Sequence, residues 1–176
     1  MVETVTSAVS PVIKRNNVTV SGRADGPVMM FAHGYGCDQD MWRRLLPYFS
    51  DTYRLVLFDN VGAGRSDVNA YDRDKYGSLD GYAADLLEIC DALDLEDVIL
   101  VAHSVSAMVA VIAAGREPER FSRLVLVAPS PRYIKRLGRR LLWRVLAGGH
   151  RRPARFPGQQ LLRLGRSTGA NGHGPS

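Results

Sequence analysis

Four short apolar runs constrain this chain more than any other feature of its sequence. They occupy residues 28–32, 54–58, 98–102 and 124–128. Each is too short for a core helix and lacks polar alternation, which is typical of strands buried on both faces. Segments with helical periodicity separate the runs, and strands that alternate with helices favour a parallel sheet. The sequence therefore predicts an α/β fold with a mostly parallel, doubly wound sheet.

The segments around these runs predict the remaining elements. Residues 17–21 alternate between polar and apolar, which indicates a half-exposed strand. Asp38 and Ser78 are each placed to cap a helix, and Gly115 is placed to end the helix that follows residue 104. The apolar faces of the two capped helices are Met41, Trp42, Leu45 and Leu46 in the first, and Leu79, Tyr82, Leu86, Ile89 and Leu93 in the second.

Composition excludes several classes of protein. With 45% hydrophobic and 23% charged residues, the 176-residue chain is neither wholly disordered, collagen-like nor a coiled coil. Its two cysteines, Cys37 and Cys90, cannot build a disulfide scaffold and suit a reducing compartment. No run approaches the roughly 18 to 20 apolar residues of a membrane helix, and no secretory signal is visible. We expect a cytoplasmic protein.

The chemistry is concentrated where the third apolar run passes into a helix. A serine at such a turn, with small residues two positions away on each side, forms a nucleophile elbow that lifts its hydroxyl clear of the sheet. Here the sequence is Ala-His-Ser-Val-Ser over residues 102–106, with Ala102 and Ser106 where glycine is usual. Ser104 is the predicted nucleophile, and Ser106, inside the helix, is a weaker candidate. The alternative is that Ser104 only caps the helix.

An acyl-transfer site also needs two N–H donors aimed at the developing oxyanion. The elbow supplies the backbone N–H of Val105. The loop His-Gly-Tyr-Gly at 33–36 follows an earlier strand and offers the N–H of Tyr35. Alone, this loop could be a plain turn with a hydrogen-bonded histidine. Together, the two loops favour an enzyme.

Five stretches resemble one known family. Residues 32–42, 58–67, 78–83, 103–106 and 128–131 look like the α/β-hydrolase superfamily. More closely, they resemble the RsbQ-type stress-signalling hydrolases of bacteria and the karrikin and strigolactone receptor hydrolases of plants. The resemblance covers residues 13–134, and the serine at position 106 is a feature of that subgroup.

This resemblance implies a serine hydrolase with a small apolar pocket beneath a helical lid. Ser104 would attack the carbonyl of a small apolar ester-like or lactone-like ligand, and the amides of Tyr35 and Val105 would hold the oxyanion. No metal or organic cofactor is expected, whereas a stress-pathway phosphatase is a possible partner by analogy. The residues that match the family's turn after the second run are interpreted as structural: Asp59, Gly62, Gly64 and Asp67.

The other triad members have no evident counterpart. The fold's chain order is Ser, then Asp or Glu, then His. After Ser104 the only acids are Glu117 and Glu119, directly after the elbow helix, and the only histidines are His150 and His173, neither after a strand-like run. A serine without a nearby base is a weak nucleophile. We therefore expect an incomplete hydrolase core, without lid and last strands, that is inactive as given. The alternative is a non-catalytic binding or regulatory protein.

A sharp charge boundary coincides with this interruption. Residues 1–134 carry 13 Lys and Arg and all 18 Asp and Glu, a balance of −5, whereas residues 135–176 carry 10 Lys and Arg and no acid. We predict that 1–134 is the N-terminal part of a hydrolase domain and that 135–176 is a basic tail, disordered or translated out of frame. The alternative is a basic arm for nucleic acid or an anionic membrane, with an amphipathic helix at 139–146. We do not expect nucleic-acid or membrane binding.

The out-of-frame hypothesis predicts a specific coding sequence. Residues 159–165 can be encoded so that a one-base shift reads Ser, Asn, two positions that can be aromatic, and Gly-Trp-Ala, which is similar to lids of the resembled subgroup. We expect the shifted frame to continue into strands that carry the missing Asp and His. Sequencing the coding DNA measures this, and a shifted frame without such strands would refute the hypothesis.

Overall fold

Among residues 10–129, five strands form one sheet in the order β1-β3-β2-β4-β5. The computed structural model describes residues 10–129. Strands β2 to β5 pair in parallel with one another, and β1 pairs antiparallel with β3. This arrangement confirms the predicted α/β fold with a mostly parallel sheet. The strands are β1 (Thr19–Gly22), β2 (Val28–Ala32), β3 (Arg54–Phe58), β4 (Val98–His103) and β5 (Phe121–Val127).

Residues 10–129 also contain four α-helices and four short 3-10 helices. The α-helices are α1 (Pro11–Arg15), α2 (Arg73–Tyr76), α3 (Leu79–Ala92) and α4 (Val105–Arg116). Ser78 caps α3 as predicted, because its side chain accepts from the backbone N–H of Asp80. The 3-10 helices are Gln39–Trp42, Leu46–Tyr48, Val68–Ala70 and Pro118–Arg120.

Two predicted helix features are wrong. Asp38 does cap a helix, since its carboxylate accepts from the N–H of Asp40. However, the predicted α-helix from 38 to 46 is two separate 3-10 turns, in which the N–H groups of Met41, Arg43 and Leu45 bond to carbonyls three residues earlier. Helix α4 also continues beyond Gly115 to Arg116.

The sheet buries a hydrophobic cluster on each face. The larger cluster packs α3 and α4 against one face, with Met30, Val56, Phe58, Leu86, Ile89 and Leu100 among its fully buried side chains. On the other face the 3-10 segment contributes Trp42, which packs on Phe31 with ring centroids 5.2 Å apart. Both faces are therefore covered, as the uniformly apolar strands predict.

Strand β5 lies at an edge of the sheet within the described residues and pairs there with β4. Leu124 and Leu126 pack against the larger cluster, while Val125 and Val127 are 43% and 39% exposed. Within the part of the chain that the structure describes, this edge strand therefore exposes apolar side chains. Such an edge favours self-association.

A buried carboxylate joins three helices on the far side of the larger cluster. Asp85, on α3, is 1% exposed. It accepts hydrogen bonds from Arg15 at 2.8 Å and from the hydroxyl of Tyr76 at 2.9 Å, and it forms an ion pair with Lys75 at 2.8 Å. Asn16 donates both to Asp85, at 3.3 Å, and to the carbonyl of residue 59, at 3.1 Å. The cluster thus links α1, α2 and α3 to the end of β3.

Several predicted features lie outside the described residues. They are the charge boundary at 134, the basic segment 135–176 with its possible helix at 139–146, and His150 and His173. Within residues 10–129, the longest helix is the 14-residue α3, and none has the length and hydropathy needed to cross a membrane.

Candidate active site

Ser104 stands at the junction of β4 and α4 in a strained backbone conformation. Its φ is 57° and its ψ is −118°, a combination that non-glycine residues rarely adopt. Its N–H donates to the carbonyl of Val127 at 2.9 Å, which ties the turn to the end of β5. The side chain makes no capping hydrogen bond to α4. This geometry favours the nucleophile elbow over the helix-capping interpretation.

The residues on either side of the turn are small because the surroundings leave no space. Ala102 is fully buried, and Ser106 is 1% exposed. A Cβ atom on Gly34 would lie 2.5 Å from Nδ1 of His103 and 3.1 Å from Cβ of Ser104. The loop 33–36 therefore packs directly against the elbow, and the glycine at position 34 permits this approach.

A cavity of about 890 Å³ opens beside the elbow. Val105, from the start of α4, and Tyr35, from the loop after β2, both line it. Tyr35 as a whole residue is 93% exposed. Ser104 immediately precedes Val105 and is not itself among the lining residues. Apolar groups around the cavity include Met41, Val61, Tyr71, Leu79, Tyr82 and Val109.

His33 begins the same loop and is 1% exposed. Its Nε2 accepts from the backbone N–H of Asn60 at 3.0 Å, and its Nδ1 lies 2.9 Å from the carbonyl of Gly34. Both ring nitrogens are therefore engaged, and His33 is not available as a catalytic base. The interpretation of His33 as a hydrogen-bonded structural residue is supported, although the loop that it begins still lines the cavity.

His103 precedes the elbow serine and packs in a different environment. Its ring meets Trp42 edge-on, with centroids 6.5 Å apart and an interplanar angle of 88°. Its buried Nδ1 faces the position that a Cβ on Gly34 would occupy, and has no hydrogen-bond partner among the described residues. The ring therefore helps to hold the loop and the 3-10 segment against β4.

Asp59, at the end of β3, organises the next loop. Its carboxylate accepts from the backbone N–H groups of Gln39 and Arg65 and from the side chain of Asn17, at 2.8 to 2.9 Å. Burial raises the pKa of this carboxyl, but these hydrogen bonds outweigh burial and hold the pKa below its ordinary value. A Cβ on Gly64 would lie 2.5 Å from the carboxylate carbon. These contacts support a structural role for both residues.

The remaining turn residues also have structural positions. Gly62 adopts a φ of 90°, in the region that favours glycine. Asp67 accepts from the N–H of Asn69 at 3.0 Å and so caps a 3-10 helix.

Burial raises the pKa of the Cys90 thiol to about 12, which makes it a poor nucleophile. Among residues 10–129, no three His, Cys, Asp or Glu side chains are grouped as a metal site requires.

Sequence reasoning missed the contacts of Ser106. Its hydroxyl donates to the carbonyl of His33 at 2.5 Å, and the side chain of Asn60 lies 3.4 Å from both of these oxygens. The sequence does show a hydroxyl at position 106, where the elbow usually has glycine. Its partner is 73 residues away along the chain, so only the folded structure reveals it.

Known proteins resemble this chain over most of the described residues. A sequence model of the α/β hydrolase fold matches residues 27–163. A strigolactone esterase of Pisum sativum is 42% identical over 125 residues, which are 71% of this chain and 46% of that protein. The karrikin insensitive 2 receptor B of Petunia hybrida is 43% identical, over 71% of this chain and 45% of its own length.

A solved structure of a hydrolase from Oleispira antarctica superposes with a TM-score of 0.66 at 42% identity, covering 69% of this chain and 44% of that one. The chain thus spans just under half the length of these relatives. The family's sequence model covers more than half of the chain, and the described sheet matches a solved member, so this protein belongs to the α/β-hydrolase fold family.

Proposed function

We propose that the chain carries the nucleophile and the oxyanion hole of a serine hydrolase that acts on small apolar esters or lactones. The observation that carries the proposal is the strained backbone of Ser104 at the β4–α4 turn, beside a cavity that both Tyr35 and Val105 line. The likeness to proteins named as strigolactone esterases supports the ester class of substrate.

The proposed chemistry is acyl transfer. The Ser104 hydroxyl adds to the substrate carbonyl carbon, its proton passes to a water molecule, and the carbonyl oxygen becomes an oxyanion. Backbone N–H groups of Tyr35 and Val105 then stabilise that charge, which matters most in a site from which water is excluded. The C–O bond to the leaving alcohol breaks as the carbonyl re-forms, and the alkoxide takes up a proton. Water then attacks the ester formed on Ser104, which releases the carboxylic acid and restores the hydroxyl.

We propose further that the 176-residue chain is a slow catalyst. Both nitrogens of His33 are engaged in hydrogen bonds, and the sequence after Ser104 offers no histidine that follows a strand-like run. General-base assistance contributes about 10² to 10⁴-fold to rate. Ser104 then keeps its strained position but lacks most of its reactivity.

The test compares Ser104→Ala with Ser122→Ala. Incubation with a fluorophosphonate and intact-mass analysis is expected to show slow addition of one probe at Ser104, with negligible turnover of p-nitrophenyl acetate. Labelling should vanish in Ser104→Ala. It should persist in Ser122→Ala, because that hydroxyl donates to the carbonyl of Asp97 near the opposite end of β5. Labelling of another residue, or equal labelling of Ser104→Ala, would contradict the nucleophile assignment. Rapid turnover that depends on Ser104 would contradict only the proposed inactivity.

A receptor-like role is the second candidate, because some of the similar plant proteins are named as receptors. In that case ligand binding, and a partner such as a stress-pathway phosphatase, matter more than turnover. A small lactone should raise the melting temperature of Ser104→Ala as much as that of the unaltered chain. Loss of the shift in Ser104→Ala would instead favour a covalent, hydrolytic role.

A further inference from the structure

We propose that Ser106 is a positioning residue that fastens the oxyanion loop to the nucleophile helix, with Asn60 and His33 as its partners. The inference rests on the proposed function of Ser104, and it assigns a role to the hydroxyl that replaces glycine at this position. Ser106 is 1% exposed and His33 is 1% exposed, so the contact is made in the interior. We call Ser106, Asn60 and His33 together the loop clamp.

The first contact of the loop clamp joins two elements that are distant in sequence. The Ser106 hydroxyl, in the first turn of α4, donates to the backbone carbonyl of His33 at the end of β2. The Asn60 side-chain amide lies 3.4 Å from that carbonyl and 3.4 Å from the Ser106 hydroxyl oxygen. The loop after β3 therefore closes over the same point.

The second set of contacts orients the histidine ring. A backbone N–H can only donate, so Nε2 of His33 must accept from Asn60 and cannot carry a proton. The proton of the neutral ring is then on Nδ1, where it donates to the carbonyl of Gly34. The ring thus joins the loop after β3 to the first peptide of the oxyanion loop.

The position of the loop clamp explains its relevance to catalysis. Val105 lies directly before Ser106, and Tyr35 lies two residues after His33. A hydrogen bond between residues 106 and 33 therefore sets the spacing between the two N–H groups proposed to hold the oxyanion. Catalysis by such donors depends on their being held in place before the reaction. A methyl group or a hydrogen at position 106 would leave the buried His33 carbonyl with only the longer Asn60 contact.

The first experiment measures the contacts of the loop clamp without any chemical reaction. NMR of the unaltered chain with ¹⁵N-labelled histidine should show the His33 ring with its proton on Nδ1. In Ser106→Ala, amide exchange should speed up about tenfold at Asn60 and at Cys37, whose N–H donates to the carbonyl of Gly34. The matched control Ser122→Ala loses a similar bond to a carbonyl, 2.6 Å long, and should leave these amides unchanged.

The second experiment measures how the loop clamp affects the reactivity of Ser104. Fluorophosphonate labelling of Ser104 should slow about tenfold in Ser106→Ala, recover in Ser106→Thr, which keeps a hydroxyl, and stay unchanged in Ser122→Ala. If Ser106→Ala does not fold, Ser106→Gly takes its place, since glycine is the usual residue at this point of the elbow.

The outcomes separate the two proposals. A proton on Nε2 of His33 in the unaltered chain, or unchanged exchange at Asn60 in the folded Ser106 variants, would overturn the clamp even if Ser104 is labelled. Faster exchange with an unchanged labelling rate would show a structural contact only and would also overturn the positioning role. Absence of labelling at Ser104 in every variant would overturn the proposed function, and with it the catalytic meaning of the clamp, while the exchange data would still report on the contact.

Discussion

Asp85→Asn is expected to lower the free energy of unfolding by about 3 kcal/mol, since the donors around this buried position lose their charged acceptor. All four neighbours of this carboxylate are donors: Arg15, Lys75, Tyr76 and Asn16. The side-chain amide of asparagine would turn an N–H₂ group toward at least one of them. A carboxylate at this position accepts from every neighbour, and no other side chain of this size does so.

Glu88→Gln is the matched control. Glu88 contacts the same two cations, at 2.6 Å from Arg15 and 3.1 Å from Lys75, but its side chain is 43% exposed. Pairs with an exposed member are worth about 1 kcal/mol or less, so this variant should remain close to the unaltered chain. Urea unfolding followed by circular dichroism measures both. Equal losses for the two variants would show that burial of Asp85 is not what makes its contacts matter.

Gly64→Ala is expected to destabilise the fold by at least about 3 kcal/mol, combining left-handed backbone strain with loss of hydrogen bonds to a charged group. Gly64 has a φ of 54°, and its added methyl would lie 2.5 Å from the Asp59 carboxylate. To make room, Asp59 must withdraw from the N–H of Arg65 or from that of Gln39. The loops at both ends of these bonds would then lose their common support.

Two other glycines separate the causes of this effect. Gly36 has a φ of 72° but no atom within 4 Å of an added methyl, so Gly36→Ala isolates backbone strain, about 1 to 2 kcal/mol. Gly115 has neither strain nor a close atom and lies in α4, so Gly115→Ala should stabilise by about 0.5 to 1 kcal/mol. Thermal or urea unfolding gives the ranking. If Gly64→Ala lowers the free energy of unfolding no more than Gly36→Ala does, then the Asp59 side chain can move aside without loss of stability.

Much of the fold follows from local sequence patterns. The apolar runs correspond to β2 to β5 because a buried strand needs only a short, uniformly apolar segment. The caps at Asp38 and Ser78 were predictable because a cap is a contact between residues two or three positions apart. The turn at Ser104 was equally predictable, since a serine between small residues after a strand is a local sequence pattern.

The features that sequence patterns missed all depend on distant partners. Helix α1 has only five residues, and its last residue, Arg15, contacts Asp85, which is 70 residues further along the chain. The 3-10 segment after Asp38 is held from outside as well, since the N–H of Gln39 donates to Asp59, 20 residues away along the chain. The hydrophobic periodicity of the sequence cannot reveal either of these hydrogen bonds.

The sequence by itself therefore determined the order and type of the strands, the position of the candidate nucleophile and the family resemblance, because these depend on neighbouring residues and on burial. Only the tertiary structure decided that His33 is a structural ring rather than a base, and that the Ser106 hydroxyl bonds to a loop carbonyl 73 residues away. The physical reason is that a buried polar group must find a hydrogen-bond partner, and the packing of the whole sheet decides which partner is within reach.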